Sequence, residues 1–442
     1  MHLTIEKLIY GGDGLARLPS DDLPNDNQGR GKAVFIPFVL EGEEVEAHLI
    51  EQKRGFARGL VDTLAVPSVH RVEPPCPYFV RCGGCHYQHS NYEHQLEIKA
   101  AILKENLRRI AKLELETELK IQGSPEWNYR NRTRLTVQTT PEFALCYHKF
   151  NSHQLLPIEQ CPISSPLINR GIAALWDIGS KGNIPGELRE IELFANASDT
   201  ELLIEAHCKE DVNVDLAASQ RLQESLQSQI SEVAGVVIFK DRAASGSSDQ
   251  ANEREQVQFA GRSDLVYMTS QSSYRVSAGS FFQVNRFLID ELVSIVTAGR
   301  SGGTALDLYA GVGLFSSVLF REFQRVIAVE SSQTSYADLL YNSPPNVKAV
   351  QATTEQYLKN VGGKLHPDLV VVDPPRGGLS ESVTKLLTSL RSPRITYVSC
   401  DPATVARDLR GLLDSGYRVE QAHVVDLFPQ TFHIESVFRL VR

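Results

Sequence analysis

Two residues near the C-terminus could carry out covalent chemistry. Cys400 ends the apolar stretch RITYVSC and precedes Asp401-Pro402-Ala403-Thr404, a helix-start pattern. A thiol at a helix N-terminus has its thiolate favoured by the dipole, although Asp401 partly opposes this. Such a thiol suits methylation at carbon 5 of a pyrimidine, which is not nucleophilic until a group adds at carbon 6. Amino-group methylation needs no thiol, and a strand-end cysteine is often a core residue. The run 428–436 (FPQTFHIES) sets His-x-Glu before a closing apolar stretch. That spacing makes Glu435 a candidate base over the same sheet edge, the alternative being a solvated loop acid.

A second group of residues could hold a methyl donor. Residues 304–315 (TALDLYAGVGLF) read as a buried strand, a tight glycine turn and the start of a helix at Leu314. Asp307, Gly311 and Gly313 form a D-x-x-x-G-x-G turn. It lacks one glycine of the dinucleotide fingerprint and fits better S-adenosylmethionine (SAM), which has no pyrophosphate; a plain structural turn is the alternative. Glu330 ends the next strand, about twenty residues on, where a carboxylate can accept both ribose hydroxyls. Asp373-Pro374-Pro375-Arg376-Gly377 makes a rigid corner after LVVV, a pattern shared with adenine-amino methyltransferases. Tyr309, Glu330, Asp373 and Cys400 all fall at strand ends of a strand–helix alternation, which predicts a mostly parallel sheet with ligands at its carboxyl edge.

Cys76, Cys82 and Cys85 have C-x5-C-x2-C spacing, with Cys161 a candidate fourth ligand. Three thiols this close point to a metal or cluster in a reducing compartment. Zinc and an iron–sulfur cluster both accept thiolates, and spacing does not choose between them.

The remaining chain must position these groups. At 442 residues it has room for two or three domains. There is no run of about 18 apolar residues, so no membrane span is expected. No basic-then-apolar start marks a signal peptide, and seven cysteines fit reducing cytoplasm better than a secreted scaffold. The net charge of −9 means that any nucleic-acid footprint must be local. Residues 3–65 read as short strands of a small OB-type barrel, interrupted by a polar loop at 20–31. Lys53 and Arg54 beside Phe56 suit phosphates and bases. A proline-bearing linker follows at 66–77, and 91–110 has helical periodicity along Leu96, Ala100, Leu103 and Leu107. In WNYRNRTR (127–134), Arg130, Arg132 and Arg134 alternate as on one strand face, a candidate RNA-contact edge or a merely solvated one. An α+β region with an excursion at 243–255 leads to the strand–helix alternation.

In matching order along nearly the whole chain, CPYFVRCGGC, EQCP, SFFQVN, DLYAGVGLF, VVDPPRGG, SCDPATVARDL and FPQTFHIES resemble the RNA uracil-5-methyltransferase family. The resemblance is to members carrying an RNA-binding TRAM barrel and a 4Fe–4S cluster. It implies that Cys76, Cys82, Cys85 and Cys161 hold the cluster. It implies SAM contacts from Gln283, Tyr309, Gly311, Gly313, Glu330 and Asp373, a nucleophile at Cys400 and a base at Glu435. Leu314 stands where some members carry asparagine, which puts one cofactor hydrogen bond in doubt. Asp401 replaces a frequent asparagine, a change expected to raise the thiol's pKa.

The expected architecture is a multidomain α/β protein. It comprises a TRAM/OB-like β-barrel (1–66), a central α+β iron–sulfur, RNA-binding domain (67–272) and a Rossmann-like SAM methyltransferase domain (273–442), with the 91–110 helix able to pack on the last. The expected partner is RNA, leaning toward 23S ribosomal RNA over tRNA, for a cytoplasmic, membrane-free monomer. Two other classes compete: a non-catalytic RNA-binding protein with this fold, and a zinc module joined to an amino-group methyltransferase. Retention of both Cys400 and Glu435 weighs against the first, and the thiol weighs against the second.

Overall fold

The computed structural model describes residues 1–18, 31–184, 188–209, 217–241 and 254–442. The loop expected at 20–31 lies outside these residues except for Gly31. The excursion expected at 243–255 does too, except for its last two residues, which open the strand Arg254–Gly261.

The first 66 residues form a six-stranded, mostly antiparallel sheet in the order His2–Thr4, Glu44–Gln52, Phe56–Val66, Ala33–Pro37, Asp13–Arg17, Lys7–Leu8. Alternating apolar residues bury Leu3, Ile5, Ala16, Val34, Ile36, Val45, Ala47 and Ala57 in one core. Arg71 closes this unit from the following linker, because its guanidinium meets the buried Glu43 carboxylate at 2.6 and 2.8 Å.

A seven-stranded sheet occupies the middle of the chain, with Arg132–Gln138, Leu188–Ala195 and Leu202–Cys208 as adjacent strands. The helix Pro166–Ser180 packs on it, capped by the Ser165 hydroxyl. Gly171 lets this helix approach closely, since a Cβ there would meet Leu193 at 2.5 Å.

The last sheet has eight strands, in the order Val347–Gln351, Phe323–Glu330, Gly302–Leu308, Leu369–Val372, Arg394–Ser399, Glu435–Val441, Arg418–Val425, Leu119–Gln122. The first five are parallel and Glu435–Val441 runs antiparallel to its neighbours. The helix Tyr92–Asn106 packs on this C-terminal layer, as expected of the 91–110 helix, and the edge strand Leu119–Gln122 joins it although residues 67–272 are expected to form a central domain. The helix expected from Leu314 is confined to Ser316–Leu319, because Phe323 already begins the next strand. Among the described residues, no helix is long and apolar enough to cross a membrane.

Arg132 corrects one expectation. Thr133, Leu135 and Val137 turn toward the core, leaving Arg132 and Arg134 on the opposite face. There Arg132 is covered rather than offered to a ligand. Its side chain is 11% exposed, pairs with Glu192 at 2.5 Å and Glu205 at 2.7 Å, and donates to the Ser280 carbonyl. Phe194 packs under its guanidinium at 4.6 Å. Arg134 is also engaged, with Glu192 and Glu190, while the Arg130 Nε donates to the Arg132 carbonyl at 2.8 Å. Arg132→Ala would take the guanidinium from the buried Glu205 carboxylate, Glu192 keeping Arg134, and is expected to cost about 3–5 kcal/mol in urea unfolding. A loss within about 0.5 kcal/mol, as for an ordinary surface residue, would contradict this burial.

Candidate active site

The register of the last sheet brings the candidate residues to one edge. Leu308 is level with Val329 and Val372, Val372 with Tyr397, and Ser399 with Ser436. The next residues on the parallel strands are therefore Tyr309, Glu330, Asp373 and Cys400. Glu435 arrives at the same edge because its strand runs the other way. Asp307 lies two residues before Tyr309 and is buried.

The glycine turn is shaped by backbone conformation. Tyr309, Gly311 and Gly313 have φ of 62°, 56° and 94°, and a Cβ at Gly313 would meet Leu339 at 2.9 Å. Glu330 holds the turn: one carboxylate oxygen accepts from the Gly311 N–H at 2.9 Å, the other from the Ser331 and Ser332 N–H groups at 2.8 and 2.7 Å. A cleft of about 350 Å³ opens beside it, lined by Tyr309, Val329, Ser331, Thr353 and Thr354 among others. Leu314, buried at the end of the turn, accepts from the Tyr274 hydroxyl through its carbonyl. The buried Gln283 sits on a loop fixed by Asn131, whose side chain donates to the Gln283 carbonyl at 3.0 Å.

Three carboxyl groups crowd this edge. Burial, opposed by hydrogen bonding to Ser316, pushes Asp307 up to about 7. Burial and the neighbouring Asp307 do the same for Asp373. Burial and Asp373 raise Glu435 well above the usual carboxylate range. The Cys400 thiol is pushed up to about 11, first by burial and then by Glu435 and Asp373, with the Arg376 guanidinium opposing. The sheet register sets Asp373, Cys400 and Glu435 at this edge, with Arg376 in the corner that follows Asp373. Asp401 spends its carboxylate capping the helix Pro402–Asp414, accepting from the Ala403 and Thr404 N–H groups at 3.0 and 2.8 Å. The burden on the thiol thus traces to burial, Glu435 and Asp373 rather than to Asp401 as expected.

A family model described as tRNA (uracil-5-)-methyltransferase matches residues 91–442, and a TRAM domain model matches residues 1–61. The chain belongs to the tRNA (uracil-5-)-methyltransferase family. It is an enzyme of SAM-dependent RNA methylation of the uracil-5 type. It is 33% identical to an uncharacterized RNA methyltransferase of Aquifex aeolicus, over 99% of this chain and 97% of that one. A second, from Thermotoga maritima, is 29% identical over 100% and 98%. Among solved structures, the tRNA (uracil-54, C5)-methyltransferase of Pyrococcus abyssi in complex with S-adenosyl-L-homocysteine aligns with a TM-score of 0.74. It is 25% identical and both chains are fully covered.

The methyltransferase's four expected cluster ligands, Cys76, Cys82, Cys85 and Cys161, line one cavity of about 490 Å³. Burial raises the thiols of Cys76, Cys82 and Cys85, and Cys161 adds to each rise. Among the described residues, three ligand-bearing side chains with atoms all within 4.8 Å of one another occur only at Glu192, Glu205 and His207, where Arg132 supplies the cation. No three of the thiols stand that close. Lys53 and Arg54 are exposed in the turn between the strands Glu44–Gln52 and Phe56–Val66, where Lys53 lies 5.5 Å from the Phe56 ring centre.

Several contributors are not among the site residues expected from the sequence. Tyr10, from the N-terminal sheet, donates to the Cys400 carbonyl at 3.4 Å and meets Phe432 edge-on. Arg376 lies 3.3 Å from His433 Nε2, and burial holds His433 neutral at about 3. Phe281 is 64% exposed, two residues before Gln283. Arg376, His433 and Phe281 lie within the motifs DPPRGG, FPQTFHIES and SFFQVN, whereas Tyr10 had no visible signal.

A thiol at about 11 is almost wholly neutral near physiological pH, and its thiolate grows about tenfold per pH unit below that value. Iodoacetamide labelling of Cys400 in the free enzyme, followed by peptide mass spectrometry, should be slow at pH 7 and climb steadily through pH 10. A rate that levels off by pH 8 would contradict the raised thiol.

Proposed function

We propose that the enzyme methylates a specific uridine through a covalent adduct on Cys400. The observation that carries this reading is the meeting of Cys400, Glu435 and Asp373 at one sheet edge beside the glycine turn. The Cys400 thiolate adds to uracil carbon 6, and carbon 5 then attacks the SAM methyl group. Glu435 removes the carbon-5 proton, and expulsion of Cys400 restores the ring. Gln283, Tyr309, Gly311, Gly313, Glu330 and Asp373 bind SAM. The uridine must be single-stranded or flipped out to expose carbons 5 and 6. Phe281 offers an apolar ring on which a base can stack, and Lys53, Arg54 and Arg130 offer cations to the backbone.

Cys76, Cys82, Cys85 and Cys161 hold a 4Fe–4S cluster within residues 67–272. Support comes from the cavity that the four cysteines share and from the capacity of four thiolates to hold such a cluster. The cluster would supply a covalent cross-link among loops, since methyl transfer by this route moves no electrons. Seven free thiols suit a reducing cytoplasm.

The TRAM barrel and cysteine set favour 23S ribosomal RNA through the family resemblance. A tRNA substrate is the second reading, favoured by full-length similarity to the Pyrococcus abyssi tRNA enzyme. Transfer of labelled methyl to separate unmodified 23S RNA and tRNA, followed by nucleoside analysis, should put 5-methyluridine in 23S RNA. Label in tRNA alone would reverse the substrate, and label in any other nucleoside would overturn the reaction. Cys400→Ala should abolish turnover while SAM still binds, and Glu435→Gln should accumulate the RNA adduct as a shifted band on a denaturing gel. Full activity in either variant would contradict its role.

A further inference from the structure

The turn that delivers Glu435 runs over residues 426–434, between the strands Arg418–Val425 and Glu435–Val441. Its backbone is held largely from outside. Lys99, on the helix Tyr92–Asn106, is fully buried; its Nζ donates to Asp426 Oδ1 at 2.6 Å and to the Phe428 carbonyl at 2.9 Å. The same carbonyl accepts from the Thr431 N–H and hydroxyl at 3.2 and 2.9 Å, so one ammonium ties the start of the turn to its middle. One helical turn earlier, Gln95 donates to Gln430 Oε1 and accepts from the Gln430 N–H, both at 3.0 Å. Gln430 has φ of 68°, a left-handed conformation that a non-glycine residue keeps only where its surroundings impose it.

If packing were the only need, an apolar side chain of similar volume would fill this place, since a buried ion pair seldom outperforms one. What an ammonium adds is several directional donors that can fasten a carboxylate and a carbonyl at once. We propose that Lys99, together with Asp426, is a positioning residue for Glu435, fixing the turn so that the carboxyl group stands where the carbon-5 proton is released. This rests on the reading of Glu435 as the base. In the step it serves, Glu435 takes the proton from carbon 5. The freed electron pair forms the double bond between carbons 5 and 6, and the bond from carbon 6 to sulfur breaks to return the Cys400 thiolate. The cofactor turn and Cys400 are carried by other strands, so the loss of Lys99 should fall on proton removal more heavily than on adduct formation or methyl transfer.

The test compares three full-length variants: Glu435→Gln, Lys99→Met, and Lys99→Met combined with Asp426→Asn. The double variant removes both charges and so leaves no unpaired buried ion if the single one fails to fold. SAM affinity is read by calorimetry, adduct by denaturing gel, and proton removal by tritium release from RNA whose uridines are tritiated at carbon 5. The double variant should bind SAM within about twofold of the wild type, form adduct, and release tritium at least about tenfold more slowly. Adduct should then accumulate as it does with Glu435→Gln. Wild-type release, or a matching loss of adduct formation and release, would overturn the positioning role. If Glu435→Gln itself accumulates no adduct, the base assignment falls and the positioning role falls with it.

Discussion

Three buried carboxyl groups, Asp307, Asp373 and Glu435, are packed at one edge of the last sheet. Burial disfavours their charged forms, and each rise in this chain of acids is reinforced by a neighbour: Glu330 acts on Asp307, Asp307 on Asp373, and Asp373 on Glu435. Such a site favours a cation, and the methyl donor of this family carries a sulfonium. Its arrival would ease ionisation of the acids and prepare a base. The same acids burden Cys400, with Arg376 as the opposing charge. The thiol and the base therefore titrate as parts of one network.

Holding that network in place takes pieces from every part of the chain. Residues 426–434 are gripped by the His86 and Tyr87 N–H groups on the Gln430 carbonyl, by Gln95 and Lys99 from the helix, and by the Tyr129 hydroxyl on the Pro429 carbonyl. Tyr10 of the TRAM barrel touches both Phe432 and the Cys400 carbonyl. His86 directly follows Cys85, so the cysteine-bearing loop is hydrogen-bonded to the turn that precedes Glu435. Parts that look like appendages in sequence abut the reacting edge.

Much of the last sheet was legible because Gly302–Leu308, Phe323–Glu330 and Leu369–Val372 are largely apolar runs that close on a glycine turn, an acid and a proline corner. The strand Leu119–Gln122 was not, since four residues with two polar side chains carry no usable period. Alternation correctly put Arg132 and Arg134 on a common face, but it cannot say that the Ser280 loop covers that face. Lys99 escaped for a similar reason: on a helix with Ile98, Ile102 and Leu103 buried, a lysine ordinarily marks the wet side. Its buried partner, Asp426, lies 327 positions away.

The covalent step is the centre of this account, and RNA carrying 5-fluorouridine tests it most directly. Fluorine at carbon 5 leaves no proton for Glu435 to remove, so the reaction should stop after methyl transfer with protein and RNA still joined. Proteolysis and mass spectrometry should then find the methylated fluorouridine on the peptide containing Cys400. Methylation of that RNA with no protein attached, or attachment at any other residue, would contradict the account.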